Sequence, residues 1–115
     1  MDLQSIQEFS ENTPTGKTLF FRVIRMDNGL LVMISDTETF RFGATVFSVP
    51  SKPGQREPTS TAMSGTGQDI MIARALAERV SAWTGSMCML IMSVKDMDRQ
   101  TMLEASHVLK NHFVT

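Results

Sequence analysis

Short dense apolar runs fill the first half of this chain, and two longer stretches with apolar residues every three or four positions stand in the second. Residues 3–9 alternate weakly and predict a short edge strand. Asn12-Thr13-Pro14-Thr15-Gly16 breaks that pattern as a turn. Residues 17–26 (KTLFFRVIRM) and 30–35 (LLVMIS) are rich in aromatic and β-branched side chains and predict two strands. Asn28-Gly29 between them predicts a two-residue hairpin loop, because a type I′ turn needs positive φ at both central residues. A further strand is expected over residues 40–49, then a loop over 50–58 and a short strand over 59–63.

The period then changes. Residues 68–83 predict a helix with Ile70, Ala73, Ala77 and Val80 on one stripe and Leu76 and Trp83 beside it. Thr66 is the expected N-cap, Asp69 suits the first turn, and Gly85 supplies the stop. Residues 87–94 (MCMLIMSV) are apolar almost throughout, as a central buried strand should be. A last helix starts at Asp96 or Asp98 and runs to about residue 113, with Met102, Ser106, Leu109 and Phe113 along its stripe. The class expected is α+β: a mainly antiparallel sheet of about six strands with two helices packed on one face, as a single domain over residues 1–115.

The hairpin adds a stronger constraint. With Asn28-Gly29 as the loop, Asp27 faces Leu30, Met26 faces Leu31, Arg25 faces Val32 and Ile24 faces Met33. One sheet face then carries Leu19, Phe21, Val23 and Arg25 with Leu30, Val32 and Ile34. The other carries Phe20, Arg22, Ile24, Met26, Leu31, Met33 and Ser35. Neither face is polar, whereas an antiparallel sheet wetted on one side alternates apolar with polar. Two helices on one face leave the other to a partner, since a soluble monomer rarely exposes so large an apolar patch. Phe20, Arg22, Ile24, Met26, Leu31 and Met33 are therefore the expected protein interface; methionine makes such a surface adaptable. The competing arrangement puts one helix on each face and leaves nothing over.

Composition narrows the function. A net charge of −1 offers no basic patch for nucleic acid or for an anionic membrane. No run of ~18 apolar residues is present to span a bilayer. The lone cysteine, Cys88, excludes an internal disulfide and suits a reducing compartment, cytoplasmic or nuclear. Gly65-Thr66-Gly67 before a helix has the look of an anion-binding turn, yet position 70 is Ile and no P-loop Lys follows. His107 and His112 lie about 140° apart around a helix and cannot form paired ligands. Cys88 sits inside an apolar strand as inert core, and Trp83 is a core anchor. No catalytic residue, metal or cofactor is expected.

Pro58-Thr59-Ser60-Thr61-Ala62-Met63-Ser64-Gly65 resembles the Pro-x-Ser-Thr segment that precedes the first helix in the proteasome assembly chaperone 4 family. Ala73-Arg74-Ala75-Leu76-Ala77-Glu78-Arg79 is similar to that family's Leu-Ala-rich basic helix, residues 88–94 to its next strand, and SIQEFS (5–10) to its opening strand. The likeness runs from about Ser5 to Phe113; the loop at 50–57 has no clear counterpart. It implies a non-enzymatic chaperone of 20S proteasome assembly. Such a chain pairs through its sheet with a proteasome assembly chaperone 3-like protein and contacts a proteasome α subunit, the one called α5, during α-ring formation. Two rivals stand beside it: an adaptor that homodimerises through the same face, and a small anion- or nucleotide-binding protein using the Gly65–Gly67 turn.

Overall fold

A computed structural model describes residues 6–54 and 58–114 of the chain. In chain order these form β1 (Ile6–Asn12), β2 (Thr18–Met26), β3 (Gly29–Ser35), β4 (Ala44–Val49), β5 (Thr59–Ser64), α1 (Gly67–Thr84), β6 (Met87–Ser93) and α2 (Arg99–Phe113). The strands make one sheet in the order β1-β2-β3-β6-β4-β5. Neighbours are antiparallel except β3 and β6, which run parallel. The fold is α+β, as the pattern predicts. Of the expected opening strand, residues 3–5 lie outside the described residues, as do 55–57 of the proline-rich loop.

The hairpin differs from expectation in an instructive way. Met26 pairs with Gly29, Arg25 with Leu30 and Ile24 with Leu31, so the loop is Asp27-Asn28. Neither Asp27 nor Asn28 has positive φ, and the turn is not type I′. Gly29 serves another purpose. It opens β3 against Met87 of β6, where an added Cβ would meet the Met87 carbonyl oxygen at 2.9 Å. The register therefore moves by two residues, and because side chains alternate with period two, every residue keeps its expected face.

Both helices cover the same face. Leu19, Phe21, Val23, Leu30, Val32, Ile34, Leu90 and Val46 are buried under them. Small Ala73 and Ala77 let α1 lie close to β4, where Ser48 donates to the Ala77 carbonyl at 2.9 Å and sits 2.6 Å from the Ser81 hydroxyl. The buried stripe of α1 is Ile72, Ala73, Leu76, Ala77, Val80 and Ser81, so Ile70 lies at its margin. Thr66 occupies the N-cap position without a side-chain cap bond, contrary to expectation, while Gly85 ends the helix in the left-handed conformation at φ 67°.

Helix α2 starts from Asp98, whose carboxylate accepts from the Thr101 amide at 2.8 Å. That bond holds the Asp98 carboxyl below its ordinary pKa. The buried stripe is Thr101, Glu104, Ala105 and Leu109, turned from the expected Met102–Ser106–Phe113 line. The cause is polar. Lys17 donates to the Thr101 hydroxyl at 3.2 Å and Thr15 to Glu104 at 2.8 Å, drawing this side of α2 onto the β1–β2 turn, while Gln100, within α2 itself, also donates to Glu104 at 3.2 Å. Burial pushes the Glu104 pKa up, but the bonds from Thr13, Thr15 and Gln100 and the charge of Lys17 outweigh it and leave it lowered.

Candidate protein-interaction surface

Phe20, Arg22, Ile24 and Met26 alternate along β2, and Leu31 and Met33 along β3, all on the face opposite the helices. The structure brings the six expected residues together on one surface. Five are half-buried by their neighbours, and Met26 is 56% exposed. The parallel register then extends the patch. Leu31 pairs with Met89 and Gly29 with Met87, and β4 places Phe47, 37% exposed, beside Met89.

The sequence pattern marks residues 87–94 as a central strand without joining Met87 and Met89 to the hairpin, and it misses Phe47. The alternation within residues 87–92 was the available signal; the β3–β6 neighbour relation was not. Ser35 shares this face by register, paired with Phe20, but is fully buried there. Its hydroxyl donates to the Thr39 carbonyl at 3.1 Å and accepts from the Thr37 amide at 3.1 Å, closing the turn after β3.

The face is not flat. Met26, Gly29, Leu31, Phe47, Met87 and Met89 surround a cavity of about 190 Å³, left open because Gly29 has no side chain. At the other margin Arg22 is anchored. Its guanidinium donates to Glu8 Oε1 from Nε at 2.6 Å and Nη2 at 2.5 Å, and lies 4.6 Å from the centre of the Phe40 ring. Residues 40–43, expected in the strand, belong to the preceding loop, and Phe40 folds over Arg22 there. An apolar centre with a polar, aromatic margin has the anatomy of a protein interface.

The other chemical candidates are placed elsewhere. Cys88 is buried in the core, and burial pushes its thiol up to about 12, so no thiolate nucleophile is available at neutral pH. His107 lies 3.2 Å from the Asn111 side-chain amide. His112 is a packing residue: its ring stacks on Phe9 at 4.5 Å and meets Gln7 at 3.1 Å. Among the described residues no group of three or more His, Cys, Asp or Glu is placed to hold a metal ion. No described helix is long and apolar enough to cross a membrane. Gly65, Thr66 and Gly67 are exposed. The cavity near that turn is walled by Asp36, Asp69, Arg41 and Lys95, with none of the three in its lining.

A sheet packed under helices on one side and open, apolar and pitted on the other defines a protein-binding α+β domain. The chain belongs to the proteasome assembly chaperone 4 family, whose model matches residues 18–103. It is accordingly a proteasome assembly chaperone and not an enzyme. A chain of a crystallised chaperone complex for yeast 20S proteasome assembly shares the fold, with a TM-score of 0.61 over 94% of this chain and 92% of that one, at 16% identity. Among curated proteins nothing matches.

Proposed function

We propose that this chain pairs through its bare sheet face with a related small chaperone, of the proteasome assembly chaperone 3 kind. The pair supports α-ring formation by holding an α subunit, α5 first among the candidates, in the cytoplasm or nucleus. One observation carries the reading: Phe20, Ile24, Met26, Leu31, Met33, Phe47, Met87 and Met89 form an apolar surface that neither helix covers. Such a chaperone needs no cofactor. It stabilises one arrangement of its client by differential binding and leaves when later contacts compete.

The test is reconstitution from purified components. The chain, the related chaperone and α5 are mixed in pairs and together, and their masses are followed by sedimentation through a dilution series. The expected result is a one-to-one chaperone pair that recruits α5. A chain that stays monomeric beside the second chaperone overturns the pairing. A chain that only pairs with itself and ignores both proteins favours a homodimeric adaptor.

A further inference from the structure

The sheet face can be buried by only one partner at a time, so a chaperone that pairs through it needs a second surface for its client. The loop between β3 and β4 supplies one. Phe42 is 90% exposed, more than any other large apolar side chain described. It borders a cavity of about 460 Å³ whose walls include Asp36, Arg41, Asp69, Lys95 and Met97. This cavity lies on the helix side of the sheet end, between the start of α1 and the segment leading into α2. Phe40, two residues earlier, turns the other way and lies against Arg22 at the margin of the bare face. The two surfaces are therefore separate, and covering one leaves the other open.

The loop holding Phe42 is tied down. The Ser35 and Thr37 hydroxyls both donate to the Thr39 carbonyl, at 3.1 and 2.9 Å. Asp36 accepts from the Lys95 amide at 2.8 Å and from Arg41 at 3.5 Å, fastening the loop to the end of β6. A ring projected into water from a fixed backbone loses little conformational freedom on binding, which is what makes aromatic residues effective anchors. Met71, 71% exposed two residues after Asp69, adds a second apolar side chain near the start of α1.

We infer that Phe42 and the cavity beside it form the client-holding surface, which takes an α subunit of the proteasome while the sheet face is occupied by the paired chaperone. The client contributes an apolar recess for the phenyl ring, and its rim carries charges of both signs to meet Asp36 and Asp69 on one hand and Arg41 and Lys95 on the other. This rests on the pairing and client roles proposed above and adds where the client sits.

The test uses the full chain paired with the related chaperone, with purified α5 as the probe and the other α subunits in parallel. Phe42→Ala should leave the melting temperature and the pairing affinity unchanged, because the ring is nearly all in water. It should weaken α-subunit binding by on the order of thirtyfold, as expected for an aromatic anchor. Phe42→Leu should recover part of the loss. An α-subunit affinity that Phe42→Ala does not change, with pairing intact, overturns this inference and leaves the pairing standing. A wild-type pair that binds no α subunit overturns the client role itself, which separates the two failures.

Discussion

The Ser48 and Ser81 hydroxyls lie 2.6 Å apart at the fully buried contact of β4 with α1, and the geometry fixes which one donates. Ser48 gives its only proton to the Ala77 carbonyl, so Ser81 must donate into Ser48. The two serines work as one unit with Ser48 at its centre. Ser48→Ala strands both the Ser81 hydroxyl and an acceptor on Ala77, and should cost about 1–3 kcal/mol in urea unfolding. Ser81→Ala leaves the bond to Ala77 in place and should cost less. The double variant should cost less than the sum of the singles, since the two share one network.

Gly29 tests the junction of the two halves of the sheet. A side chain there would meet the Met87 carbonyl at 2.9 Å, backbone that cannot swing aside. Gly29→Ala should therefore strain the only parallel pairing among the described strands, at about 1–3 kcal/mol, as overpacking typically does. The same methyl group would narrow the cavity among Met26, Leu31 and Phe47. A denaturation midpoint equal to wild type would show that β3 and β6 can part without cost.

The bare face predicts a separation of folding from pairing. Met33 is half-buried on that face, flanked by Arg22 on β2 and Ile91 on β6. Met33→Arg can reach its charge into water in the free chain, so the monomer should lose no more than about 1 kcal/mol. Once a partner covers the face, that charge is buried. Pairing should weaken by on the order of 2 kcal/mol or more, read by titration calorimetry against the related chaperone. Arg22→Ala is the contrasting case. Its ion pair with Glu8 is solvent-exposed and should contribute less than about 1 kcal/mol to folding.

How much of this was legible in the sequence depended on which force placed each residue. The apolar strands and their two faces were readable, because period-two alternation survives a register error of two residues; Asp27-Asn28 replaced Asn28-Gly29 without moving any side chain across the sheet. Both helices were readable for the same kind of reason. Their rotation was not. Thr101, Glu104 and Ser81 are buried by hydrogen bonds to Lys17, Thr15 and Ser48, partners distant in sequence, and a hydrophobic period cannot register a polar residue held inside by such bonds. Phe47 joined the surface only through the β4–β6 pairing, a long-range relation with no local mark. Phe42 looked like part of a strand until the turn bonds of Ser35 and Thr37 showed a loop.

His112 joins α2 to β1, and its titration should be visible in the stability of the whole domain. The ring stacks on Phe9, meets Phe113 edge-on and lies within 3.1 Å of Gln7, with Arg25 as the nearby charge. Burial first, and then the Arg25 charge, hold its pKa below the ordinary value of 6.5. The folded state thus prefers the neutral ring. Its stabilisation is complete above the unfolded value and is lost as the pH falls through the lowered folded value. The urea midpoint should accordingly drop on acidification from about pH 7 to about 5, in the range where histidines titrate. Asp98 and Glu104, whose pKa values are also lowered, add a separate loss at more acidic pH, where carboxylates protonate. His112→Phe keeps a ring against Phe9 but cannot take up a proton, so it should abolish the first step and leave the second. A first step of unchanged size in that variant would assign the titration to another group.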